Sequence, residues 1–158
     1  MPVVADAIRH QIEALNTRYI RAIDDDALED WPTLFTDPCL YRIVSRENFA
    51  RSLPLSIMEC ASRGMLIDRV VGYRRVNVYE PQRYTHLLSG LVIEPLDATH
   101  VRCKQNYAAI RTMITGEMMI FSAGVYLDRV RLSDEAQFEE RIVVQESRRV
   151  DTLLVIPL

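Results

Sequence analysis

Histidine and cysteine are the residues here that could hold a metal or move a proton near neutral pH, and their spacing limits the chemistry open to them. The histidines are His10, His86 and His100, and the cysteines are Cys39, Cys60 and Cys103. Zinc and iron–sulfur sites usually draw paired ligands from short loops of the C-x2-C or C-x-H kind. Only His100 and Cys103 stand within four positions of each other, and no second close pair lies near them to complete a site. A metal site built from local pairs is therefore excluded, and a mononuclear iron triad would have to assemble from distant elements.

The most enzyme-like pair is Tyr84 and His86, two residues apart and on one strand face. Imidazole titrates near neutrality, so with Asp68 or Tyr41 beside it His86 could act as a general base in a small cavity. Spacing on one strand supplies no third catalytic group. The plainer reading is that both are partly buried, hydrogen-bonded residues at a subunit contact. Asp24, Asp25 and Asp26 could coordinate a hard cation, but a calcium loop also needs further spaced donors and a closing Glu. The run reads instead as a solvated helix terminus, with Glu29 and Asp30 in the first turn of the next helix, where the macrodipole favours negative charge. The five glycines form no G-x-G-x-x-G or G-x-x-x-x-G-K-[ST] motif, and no G-x-S-x-G stretch occurs. Catalytic, cofactor-binding and metal-binding residues are accordingly all expected to be absent from this chain.

Such residues need elements to position them. From Val4 to Ile23, the residues Ile8, Ile12, Leu15, Tyr19 and Ile23 recur at helical spacing. A second short helix is expected over Ala27 to Phe35, unless Pro32 breaks it. Cys39 to Val44 reads as a strand, and Ala61 to Arg74 as a helix weakened by Gly64. Tyr84 to Pro95, Val101 to Ile114, Met118 to Arg131 and Phe138 to Ser147 alternate with period two between turn-sized gaps, the pattern of antiparallel hairpins. In the third segment Met119, Phe121, Ala123, Val125 and Leu127 share one face, Ile120, Ser122, Gly124, Tyr126 and Asp128 the other, more polar one, and one of the two must meet helices. Gly90 and Gly124 lie where such long strands could bend or bulge. Helices first and strands after give an α+β domain, a cone of N-terminal helices laid on a long, strongly curved sheet.

The whole chain of 158 residues, 49% hydrophobic and 26% charged, fits a single domain over residues 1–158. A net charge of -3 with scattered basic residues argues against nucleic acid and membrane partners. An odd number of separated cysteines suits buried thiols in a reducing compartment, and the N-terminus lacks an apolar signal core, so a cytoplasmic location is expected. Trp31 and the arginines Arg63, Arg69, Arg74 and Arg75 are contact-forming types whose plainer roles are core packing and solvation. The closing DTLLVIPL must be buried, with another subunit among the surfaces that could cover it.

The run YRIVSRENFARSLPLSIMECASRGMLIDRVVGYRRVNVYEPQRYTH, from Tyr41 to His86, resembles the small (β) subunit of aromatic-ring-hydroxylating dioxygenases. DDDALEDWPTLFT before it, and NYAAIRTMITGEMMIFSAGVYLDRV and DTLLVIPL after it, extend the resemblance over nearly the whole chain. Its most specific parts are WPTLFT, RENF, LPL, GMLIDRV and YxH. Within the family the likeness is to small subunits of oxygenases acting on benzoate-like acids: salicylate 5-hydroxylase, anthranilate dioxygenase and terephthalate dioxygenase. The resemblance implies a cystatin-like or NTF2-like α+β fold with a mixed sheet. It also implies a division of labour in a multicomponent oxygenase that hydroxylates an aromatic carboxylic acid in aromatic catabolism. A large (α) subunit carries the Rieske 2Fe-2S cluster and a mononuclear non-haem Fe(II), and a reductase, with or without a ferredoxin, supplies electrons from NAD(P)H. The small subunit binds none of these cofactors and mainly supports a hexamer of three large and three small subunits, with homotrimer contacts among its own copies. Trp31, Asp68, Arg69, Tyr84 and His86 match recurrent family positions and become subunit-interface candidates, while no catalytic residue is carried over. The rivals are a stand-alone NTF2-like dehydratase or isomerase using His86, Tyr41 and Asp68, and a small-ligand-binding module.

Overall fold

The structure is a computed structural model that describes residues 4–75, 80–149 and 154–158. Helix α1 spans Asp6–Asp24 and buries Ile12, Leu15, Tyr19 and Ile23 of the stripe its spacing predicts, with Ala22 beside them and Ile8 half-buried. The expected second helix is only a 3-10 turn, Trp31–Leu34, with Pro32 in its first positions. Strand β1 then takes over at Phe35 and runs to Ser45, longer than the apolar run indicates. The short helix α2, Arg46–Ala50, starts where Ser45 Oγ accepts the Asn48 N–H at 3.2 Å. Strand β2, Met58–Cys60, is unanticipated, since three residues are too few for a period to register. Helix α3, Arg63–Arg75, precedes the long strands β3 (Gln82–Pro95), β4 (His100–Met113), β5 (Met118–Arg131) and β6 (Gln137–Gln145).

The sheet has the order β2-β1-β6-β5-β4-β3, mixed because β1 runs parallel to β6 while the other neighbours are antiparallel. It does not close, so β3 keeps a free edge. Register shifts bend the long strands. One lies between Ser89 and Val92, around Gly90 at φ 64°, where a left-handed backbone favours glycine. Gly124 does different work: a Cβ there would sit 1.9 Å from the Val144 carbonyl oxygen, so glycine lets β5 and β6 approach.

Another shift corrects the period-two reading of β5. Ala109 pairs with Ser122 and Ile110 with Ile120, which leaves Phe121 as an extra residue. A one-residue bulge exchanges the faces of everything beyond it. Ser122, Tyr126, Asp128 and Val130 consequently turn inward toward the helices, and the apolar-looking Ala123, Val125 and Leu127 are left half-buried on the outside. The core is aromatic, with Trp31 edge-on to Tyr41 at 5.0 Å and to Phe35 at 5.7 Å. The C-terminal segment is buried against this same core: Ile156 and Leu158 are inside, the Leu158 N–H donates to Tyr41 Oη at 2.9 Å, and the Leu158 carbonyl accepts from the hydroxyls of Tyr41 and Tyr19. For the described residues 154–158 the cover left open by the sequence is thus the chain's own interior; residues 151–153 of that run lie outside the described residues.

Candidate functional site

His86 sits on β3, the edge strand, whose outward N–H groups have no strand to pair with. Asp24, the last residue of α1, meets this need: its Oδ2 accepts the His86 backbone N–H at 2.8 Å, and its Oδ1 lies 2.6 Å from His86 Nδ1. The two side chains are 0% and 5% exposed for His86 and Asp24. A carboxylate at a helix C-terminus opposes the macrodipole, and here the imidazole, the edge amide and Arg21, 3.7 Å away, compensate it. Nδ1 faces the carboxylate, and Nε2 is buried without a hydrogen-bond partner among the described residues. This is the orienting half of a general base. It is also an edge cap, because an occupied edge amide cannot recruit a foreign strand.

Two further polar groups line the inner face. Tyr107 Oη lies 2.8 Å from Ser122 Oγ, which bonds Gln145 Oε1 at 3.0 Å, and burial pushes the Tyr107 hydroxyl above its ordinary pKa. Gln145 in turn donates to the carbonyls of Ser147 and Arg149. Deeper inside, the Arg141 guanidinium bonds Asp128 through Nε and Nη2, both at 2.8 Å, and Asn16 Oδ1 at 2.6 Å. Its cation lies 4.0–4.2 Å from the rings of Phe138, Tyr126 and Tyr19. Burial disfavours that charge, but Asp128 outweighs burial and holds Arg141 protonated. These bonds hold strands to helix, although Arg141 Nη1 and Asn16 Nδ2 are buried without a hydrogen-bond partner among the described residues; neither network contains an activated nucleophile.

The remaining sequence candidates are dispersed. Tyr41 bonds Leu158 and lies 3.4 Å from the Tyr19 hydroxyl, away from His86, while Asp68 and Arg69 are exposed on α3. His86 therefore finds its carboxylate in Asp24, not Asp68, and Asp24 departs from the solvated terminus expected of the aspartate run. Trp31 is fully buried, and Tyr84 is buried 6.2 Å from the His86 ring and stacked on Phe121 at 5.3 Å. Of the arginines read as solvated, Arg63 reaches the Phe35 carbonyl, and Arg74 grips Glu29 at 2.8 Å and Asp26 at 2.7 Å. Sequence reasoning missed Asp24, Asn16, Asp128 and Arg141. The one available signal was the cost of an aspartate at a helix C-terminus.

An iron–sulfur cluster does not fit these residues. Cys39, Cys60 and Cys103 are buried on three different strands, and burial pushes the Cys39 thiol up to about 11 and the Cys103 thiol to about 12, whereas cluster ligation requires thiolates. The hollows on the surface lie away from the dyad. One of about 540 Å3 on the outer sheet face is lined by Phe49, Val92, Leu127 and Ile142. No helix among the described residues is long and apolar enough to cross a membrane.

The sequence model of the SnoaL-like domain matches residues 7–137. The chain is 39% identical over 149 residues to the anthranilate 1,2-dioxygenase small subunit of Burkholderia cepacia, covering 94% of this chain and 92% of that one. It is 40% identical over 149 residues to subunit β 1 of the terminal oxygenase component of terephthalate 1,2-dioxygenase from Comamonas sp, covering 94% and 97%. The chain belongs to the dioxygenase small subunits. A crystal structure of the β subunit assigned to an aromatic-ring-hydroxylating dioxygenase of Novosphingobium aromaticivorans superposes with a TM-score of 0.90 at 37% identity, covering 99% of this small subunit and all of that chain. The open six-stranded sheet, the helices on its inner face and the enclosed dyad are thus features of a SnoaL-like small subunit.

Proposed function

We propose that this chain is the non-catalytic small subunit of the terminal oxygenase of a multicomponent Rieske non-haem iron system that hydroxylates an aromatic carboxylic acid. The observation that carries the reading is identity of about 40%, spread over nearly the full length of both partners, to small subunits of anthranilate and terephthalate dioxygenases. The chemistry of the interior supports it. Arg141, Asp128 and Asn16, and separately Tyr107, Ser122 and Gln145, are bonded to one another, and the cysteines cannot serve a cluster. The redox centres belong to a large subunit, which carries the Rieske cluster and the mononuclear Fe(II) and receives electrons from NAD(P)H through a reductase. Three large and three small subunits form the assembly, in the cytoplasm. Asp68 and Arg69 offer exposed side chains for subunit contact on α3, while the other contact candidates, Trp31, Tyr84 and His86, are buried and support a contact only through the fold.

The Asp24–His86 pair is what a stand-alone acid–base enzyme would need, and it defines the competing reading. Co-expression with a large oxygenase subunit separates the two. The proposal expects the chain to copurify with an iron-containing partner and to show no turnover alone. Turnover of a small substrate by the isolated chain, abolished by His86→Ala, would replace it.

A further inference from the structure

Two apolar features of the small subunit find no cover among the described residues. The first is the β4–β5 turn, where Ile114, Met118 and Ile120 are 71%, 64% and 70% exposed. Glu117 stands among them, exposed and without a cationic partner among the described residues. Contiguous apolar side chains at a protruding turn mark an association site.

The second is a groove of about 410 Å3 between α3 and the 3-10 turn, with buried Pro32 and Val70 at its floor and the half-exposed Ile67 and Val71 on its wall. Arg74 fixes one side by gripping Glu29 and Asp26, which spends its charge. Arg75, on the rim, has no carboxylate partner among the described residues.

We infer that the β4–β5 turn of one small subunit docks in the α3 groove of a second copy, with its aliphatic side chains on Ile67 and Val71 and Glu117 against Arg75. The inference rests on the assembly proposed above and assigns the contact between its small subunits. Knob and groove are apolar, and their unpaired charges are opposite. Groove against groove would oppose two Arg75 side chains, and knob against knob two Glu117 side chains, each a like-charge penalty. A contact between two different patches is heterologous, and in a soluble oligomer it closes into a ring.

The test is disulfide trapping in the complex purified with its large subunit, and in the small subunit alone. Ile67→Cys with Met118→Cys in one chain is expected to give covalent small-subunit multimers on a non-reducing gel, and neither single variant to give them; the native cysteines are buried. Ile120→Glu is expected to weaken self-association about 100-fold, the scale of a lost apolar anchor. Arg75→Glu and Glu117→Arg should each weaken it severalfold, and the double exchange should restore it. No trapped multimers with the large subunit still bound, or multimers from a single-cysteine variant, overturn the inference and leave the small-subunit reading standing. Variants that release the large subunit while the small subunits stay associated overturn it too, by giving the surface to the large subunit. Failure of the unaltered chain to capture any large subunit would instead sink the small-subunit reading itself.

Discussion

At the scale of single residues, the largest electrostatic commitment is Arg141 with Asp128, a pair 0% and 1% exposed. Removing one member of such a pair leaves a buried charge uncompensated, so Asp128→Ala is expected to cost about 3–5 kcal/mol in urea unfolding. The double variant Asp128→Leu/Arg141→Met should cost less than that single change, because no charge stays behind. His100 supplies a pH dependence. Asp97, 3.0 Å from its Nδ1, and Glu139, 3.1 Å from Nε2, raise its pKa. A raised pKa means that the charged form stabilises the fold: the contribution is complete below the unfolded value near 6.5 and fades as pH rises through the folded value. The urea midpoint of the unaltered chain should therefore exceed that of His100→Gln at pH 6 and converge with it by about pH 9. Asp97 works in the opposite sense. The Thr99 backbone N–H and His100 hold its carboxyl at about 2, so its contribution is lost only as pH falls toward that value.

At the scale of elements, the same physics decides what the sequence can disclose. The stripe of α1 and the alternation of β4 are legible because long periodic segments bury one face throughout. The inner face of β5 is not, because a single bulged residue, Phe121, reverses the phase, and nothing in an alternating run marks where a bulge falls. Pro32 is legible as a breaker, yet the gain of pairing Phe35 with β6, which turns the expected helix end into a strand, comes from a partner about a hundred residues away in sequence. The Asp24–His86 pair is hidden for the same reason: its members sit on different elements 62 residues apart, and their meeting depends on how α1 lies across the edge of the sheet. Close approach of β5 and β6 yields a prediction. Gly124→Ala places a Cβ against the Val144 carbonyl, a backbone atom that cannot rotate away. It should cost about 3 kcal/mol by thermal unfolding, the upper part of the overpacking range.

At the scale of the whole molecule, the chain behaves as a scaffold whose interior chemistry is turned on itself. Aromatic rings, the Arg141 cluster and the C-terminal segment make one core. Leu158 belongs to it, fully buried, so Leu158→Ala is expected to cost about 2–5 kcal/mol of stability, measured by denaturant unfolding, and to weaken assembly through the fold alone. The outer face of the sheet, the α3 groove and the β4–β5 turn retain apolar surface, which is where an assembly subunit differs from a self-contained enzyme. Sequence patterning reveals this division only coarsely, since an apolar residue looks the same whether its cover is the core or a neighbour.

The most direct measurement is hydroxylation of a benzoate-like acid by the reconstituted oxygenase, with the small subunit unaltered, omitted, or carrying His86→Gln. The account predicts that the small subunit alone is inactive and that His86→Gln leaves turnover per assembled complex within about twofold, because a group that touches no reacting atom contributes no transition-state stabilisation. Turnover by the small subunit alone, or a loss of 100-fold or more in an intact His86→Gln complex, would contradict it.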